Sequence, residues 1–295
     1  MTPRTHERTV KIMTKTAKIL SEPLLCRFAR HLRESEKSPA TARKYLHDAR
    51  ALRRFADGAA VTKEMVIAFK QHLLDSGYAA RSVNGILAGL HSLFDCLGWQ
   101  ELKVRTLKVQ REIFCPAERE LTKAEYERLC RAAAKRANAR LNLILQTICG
   151  TGIRVSELQC ITVDAARRGE AVVTCKGKTR TVFLVRPLQK KLLRYAAERG
   201  IASGPIFITR SGKPMNRSCV WREMKSLCTD AGVSPGKVFP HNLRHLFARV
   251  FYGIEKDIAK LADILGHSSI NTTRIYIMST GTEHRRRMET MHLIL

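Results

Sequence analysis

The strongest constraint on the fold is a period. Apolar residues recur at three- and four-residue steps along most of the chain, and only one short region carries the β-branched runs of paired strands. In the first hundred residues the pattern runs through Leu24, Leu25, Phe28 and Leu32, then Tyr45, Leu52 and Phe55. Thr62 is placed to cap a helix carrying Met65, Val66, Phe69 and Leu73 that stops at Gly77. Val83, Ile86, Leu90, Leu93 and Leu97 mark another that stops at Gly98. Four helices and no strands are predicted there.

After a connector of mixed Lys, Arg and Val from Leu102 to Pro116, helical patterning resumes. Thr122 and Glu125 have capping-box spacing, and further helices are predicted over Leu141–Cys149, Leu188–Arg199, Arg217–Ala231, Asn242–Tyr252 and Ile258–Leu265, the last ended by Gly266. The exception is Ala171–Cys175 and Thr181–Val185, which read as a hairpin whose basic tip is Lys176-Gly177-Lys178-Thr179-Arg180. The fold class is therefore mainly α with a small β-sheet.

A chain of 295 residues exceeds what one core usually organises, so two domains are expected. The expected division is a flexible basic arm at 1–20, where Met13 is an alternative start, a helical domain at 21–110, a linker at 111–118, and a second domain at 119–295 with a tail helix at 281–295.

Charge narrows the partner. Lys plus Arg total 53 against 26 acids, a formal charge of +27. Dividing the chain at Pro116 leaves 21 basic and 11 acidic residues before it and 32 and 15 from it onward, or +10 and +17. Both halves suit a polyanion, and nucleic acid is the leading candidate. The apolar stretch Leu141 to Ile148 is broken by Asn142, Gln146 and Thr147, well short of the roughly 20 residues a bilayer needs, so no membrane role is expected. The N-terminal residues lack a secretory apolar core, and the nine cysteines form no C-x-x-C pair; both point to a reducing cytoplasm.

Three clusters carry candidate chemistry. Arg154 follows a glycine turn with Glu157 three residues on, where a carboxylate can fix a guanidinium fork suited to a phosphate. His241 and Arg244 are about one helical turn apart, and His267 precedes Tyr276 by nine residues. Taken alone, the first reads more readily as a surface ion pair and the tyrosine as a core residue. The ordered set decides otherwise: Gly-x-Arg-x-x-Glu-Leu, a hairpin lysine, His-x-x-Arg, Leu-Gly-His, then Tyr. No metal-ligand cluster or cofactor motif is seen, and neither is expected. His245, Lys213 and the two tryptophans are assigned no chemistry.

This set, from Leu121 to Tyr276, resembles the active site of the tyrosine recombinases, the phage-integrase family, and residues 21–110 resemble their core-binding (SAM-like) domain. The resemblance implies an all-helical core-binding domain joined to a mixed α/β catalytic domain. It also implies that Arg154, Arg244, His241 and His267 are catalytic, that Tyr276 is the nucleophile forming a 3′-phosphotyrosyl bond, and that Glu157 supports the first arginine. The catalytic lysine is expected to be Lys176, with Lys178 as the alternative, because the family's Gly-Lys-Gly-x-Lys-x-Arg hairpin appears here one residue shorter. Lys178, Arg180, Arg43 and Arg81 are candidate DNA contacts. The implied setting is a cytoplasmic, nucleoid-associated enzyme, independent of metal and ATP, that acts on duplex DNA bearing specific sites. It would be a homo-tetramer there and a monomer or weak oligomer without DNA. A mobile-element integrase and a Xer-like resolvase fit equally. A type IB topoisomerase and a non-catalytic DNA-binding protein are the alternatives.

Overall fold

The computed structural model describes residues 17–110, 116–175, 177–278 and 281–291. The chain divides into two compact units, Met1–Arg111 and Glu112–Leu295.

The first unit is built from α1 (Glu22–Glu34), α2 (Pro39–Ala56), α3 (Lys63–Asp75) and α4 (Ala80–Leu97). Their buried stripes are the periodic residues of the sequence: Phe28, Leu32, Leu52, Val66, Val83, Leu87, Leu90, Leu93 and Phe94 form one core. Thr62 accepts from the Met65 N–H at the start of α3, and Gly98 ends α4 in the left-handed region at φ 71°. At the start of α2 and α4, Lys44 spans the packed pair by donating to Asp48 (2.6 Å) and to the Gly85 carbonyl (2.7 Å). Arg43 and Arg81 lie exposed in the same helices.

Residues 17–20, assigned from sequence to a mobile arm, are tied down instead. Ile19 bridges Ala60, the Val61 N–H donates to the Lys18 carbonyl, and Leu20 is buried, because that leucine completes the core. The rest of the arm lies outside the described residues.

The second unit opens with a 3-10 turn at Ala117–Arg119 and then α5 (Lys123–Lys135), whose capping box is complete: Thr122 and Glu125 each accept the other's backbone N–H. α6 (Ala139–Thr151) runs through the centre with Leu141, Ile144, Leu145 and Ile148 fully buried. A 3-10 segment at Val155–Cys160 leads to α7 (Val163–Arg168), then to strands β1 (Glu170–Cys175) and β2 (Lys178–Phe183) and to α8 (Arg186–Glu198). α9 (Arg217–Ser226), α10 (Cys228–Ala231), α11 (Pro240–Glu255), α12 (Ile258–Leu265), α13 (Ile270–Tyr276) and α14 (Gly281–Glu289) complete it.

Two expectations are corrected here. The predicted helix Arg217–Ala231 is interrupted at Leu227, the C-cap of α9, giving α9 and α10. The hairpin is tighter than its sequence suggested: Cys175 pairs with Lys178, so two residues separate the strands, and Lys178, Thr179 and Arg180 belong to β2. Gly177, at φ 74°, allows that two-residue connection. Lys176 itself lies outside the described residues, as do residues 292–295 of the predicted tail helix. α7 and α13, six and seven residues long, were not predicted at all.

The seven cysteines whose side chains are described are all free thiols. Burial pushes Cys149 up to about 12, well away from thiolate chemistry.

Candidate active site

The pocket is assembled where helix ends and the hairpin converge. α6 stops at Gly152, whose φ is +67°; a Cβ there would sit 2.4 Å from Phe247 Cδ1. This glycine turn turns the chain sharply, so that Arg154 opens the following 3-10 segment. Glu157, 3 % exposed, sits inside that segment.

Glu157 is the hub of the cationic wall. Its carboxylate accepts from Arg154 Nη1 at 3.0 Å, from the Arg154 backbone N–H at 2.8 Å, and from Arg180 Nη2 at 2.8 Å. One buried anion therefore fixes two guanidiniums. Arg154 keeps 30 % of its side chain exposed and Arg180 only 12 %. Arg180 was expected at the hairpin tip as a DNA contact; β2 carries it inward, because the two-residue turn sets its register against Val173. Lys178 occupies the first position of β2.

Arg244 is the most deeply enclosed cation, at 1 % exposure. Its guanidinium donates to the carbonyl of Gly152 and, at 2.6 Å, to that of Leu265, so the C-terminal ends of α6 and α12 grip it from two sides. Burial, then the neighbouring Arg154, pulls it down to about 10, which leaves it charged at neutral pH. Its third contact defines a tautomer. Arginine only donates, so His267 Nε2, 3.0 Å from Arg244 Nη2, must accept; the imidazole proton is then on Nδ1 and donates to Thr273 Oγ1 at 2.9 Å. His267 is consequently neutral, and burial with the charges of Arg244, Arg154 and Arg180 takes it down to about 4.

Tyr276 ends α13 and is 6 % exposed, packed in a small cluster with Ala248, Leu261 and Leu265. Its hydroxyl lies 3.0 Å from His241 Nε2, and the Arg244 guanidinium carbon is 5.8 Å from its ring centre. His241 stands at the solvent-open lip at the start of α11. Partial burial, and then Arg244, Arg154 and Arg217, hold its pKa below the usual imidazole value, so it is unprotonated at neutral pH. Sequence reasoning missed one residue. The His245 ring lies parallel to the phenol, 4.1 Å between centroids and 8° between planes. Its four-residue spacing from His241 on a helix was the available signal.

Arg154, Arg180, Glu157, His241, Arg244, His267 and Tyr276 thus share one pocket, while Arg43 and Arg81 belong to the other unit. Among the described residues no group of His, Cys, Asp or Glu could hold a metal ion, and no helix is long and apolar enough to cross a membrane.

A helical fold with a small hairpin and a phenol among arginines and imidazoles defines the class of the tyrosine recombinases. Residues 119–283 match the Phage integrase family and residues 25–101 match the phage integrase N-terminal SAM-like domain, so the chain belongs to the Phage integrase family. It is 29 % identical over 287 residues to the tyrosine recombinase XerA of Pyrococcus furiosus, covering 94 % of this chain and 96 % of that one. It is 30 % identical over 218 residues to the tyrosine recombinase XerD of Pseudomonas putida, covering 69 % and 72 %. Its fold is similar to that of a lambda integrase dimer bound to a COC′ core site, with a TM-score of 0.71, 20 % identity and coverage of 88 % and 78 %.

Proposed function

We propose that this tyrosine recombinase breaks and rejoins duplex DNA at specific sites, with Tyr276 as the nucleophile that forms a 3′-phosphotyrosyl bond. The observation that carries the assignment is the hydroxyl 3.0 Å from His241 Nε2 within a pocket walled by guanidiniums. A free phenol has a pKa near 10, so only about a thousandth is ionised at neutral pH and attack needs a base. Neutral His241 accepts the phenol proton. Arg154, the more open of the two clamped guanidiniums, takes non-bridging oxygens of the scissile phosphate. The enclosed Arg244 supplies fixed positive charge as the transition state becomes more anionic. The phosphate's own charge favours a proton on His267 Nε2, which then gives up its contact with Arg244 Nη2 and donates to the same oxygens. Lys176 protonates the departing 5′ oxygen, with Lys178 as the alternative donor. The 5′-hydroxyl of a second duplex reverses the step, and the ester conserves the bond energy.

In the same reading the unit at 21–110 is the core-binding domain, with Arg43 and Arg81 on the DNA, the segment 111–118 is the linker, and 119–295 is the catalytic domain. The enzyme works as a homo-tetramer on its sites in the cytoplasm, associated with the nucleoid. End-to-end similarity to Xer proteins supports a Xer-like role over that of a mobile-element integrase.

Incubation with site DNA nicked beside the scissile phosphate tests the assignment. The intact protein is expected to form a denaturant-stable adduct and Tyr276→Phe none, with DNA affinity retained. An adduct with Tyr276→Phe would refute the nucleophile. Relaxation of supercoiled DNA without strand exchange would instead indicate a type IB topoisomerase.

A further inference from the structure

His245 has no task in the chemistry proposed for the pocket, although it makes the closest ring contact to the phenol. Of the three imidazoles around Tyr276, His241 meets it near edge-on (5.2 Å, 68°) and His267 is tilted (4.9 Å, 52°). Only His245 lies flat against it, at 4.1 Å and 8°. His245 is in turn met edge-on by His241, at 4.9 Å and 75°. The two histidines are one helical turn apart on α11, so one helix face presents both a platform and a proton acceptor.

A phenol oxygen is aimed by two variables, the plane of its ring and the rotation within that plane. The stack on His245 sets the first, and the hydrogen bond to His241 Nε2 sets the second. We propose that His245 is a positioning residue that acts through Tyr276, holding the ring in the plane from which its oxygen faces both His241 and the phosphate site. This rests on Tyr276 being the nucleophile. The contact is ring against ring rather than cation over ring. Burial, followed by the charges of His241, Arg244 and His267, keeps His245 neutral down to about 4. An aromatic carbocycle should therefore replace it.

Single-turnover adduct formation by the full-length protein on nicked site DNA separates aiming from chemistry. His245→Ala is expected to slow the first-order step about 30-fold with DNA affinity within about 3-fold of the parent, and His245→Phe to restore the rate to within about 3-fold, since misaim by an ångström costs rate rather than binding. A bridging 5′-phosphorothiolate, whose thiolate leaves without a proton, should relieve Lys176→Ala but not His245→Ala. Parent-like cleavage by His245→Ala overturns the proposal. So does His245→Phe as slow as His245→Ala at equal affinity, or rescue of His245→Ala by the phosphorothiolate. If His245→Ala does not fold, His245→Gln takes its place under the same criteria. Tyr276→Phe run in parallel keeps the two readings apart: an adduct there refutes the nucleophile, whereas its absence beside a fast His245→Ala refutes only the positioning role.

Discussion

Glu157 holds more of the pocket together than any one cation does, because two guanidiniums and a main-chain N–H converge on its buried carboxylate. Glu157→Gln would leave Arg154 and Arg180 close together without their shared counter-charge. It is expected to cost about 3 kcal/mol of stability, read as a lower Tm, and unchanged melting would contradict the hub role. The histidines set a pH dependence. His245 and His267 stay neutral in the folded protein down to about 4, whereas an unfolded imidazole takes up its proton near 6.5. The unfolded chain therefore binds more protons between those values, so stability is full above about pH 6.5 and declines as the pH falls toward 4. Melting at pH 7.5 and pH 5 checks the sign. The spacing of Arg154, His241, Arg244, His267 and Tyr276 was legible because each sits in a short motif. His245 was passed over because it adjoins Arg244, although its four-residue spacing from His241 on the predicted helix puts both on one face. Arg180 was misplaced because its direction depends on hairpin register, which Lys176-Gly177 left open.

At the scale of elements, the pocket is held by ends rather than by helix bodies. The last carbonyls of α6 and α12 grip Arg244, and each helix stops at a left-handed glycine, Gly152 and Gly266. Gly152→Ala would force a Cβ into Phe247 at an unfavourable φ. It is expected to cost about 2–4 kcal/mol and to disable adduct formation, checked by denaturant melts alongside cleavage. At the start of α5, away from the pocket, Thr122→Ala is expected to cost only about 1 kcal/mol while leaving the single-turnover rate unchanged. The long helices were readable from period and caps. α7 and α13 were not, because six or seven residues are too few for a 3.6-residue period to show, although Thr162 and Ser269 cap them.

For the whole molecule, the controlling quantity is the formal charge of +27, present in both halves of the sequence. DNA affinity is expected to fall about a thousandfold between 50 and 200 mM salt if at least six phosphates are neutralised, measurable by anisotropy titrations; a flat response would remove the backbone as the main source of binding. Two units were legible from length and from the polar connector, and the helical character of the first from its stripe of leucines. What composition could not supply was the convergence itself. The pocket's side chains come from the segment after α6, from β2, from α11, from the turn between α12 and α13, and from α13. A nascent chain still on the ribosome, or a fragment released early, can carry every arginine of this pocket and yet lack the docked tyrosine that completes it. If Tyr276 is the nucleophile proposed above, cleavage thus waits on the residue of the pocket that is made after all of its arginines.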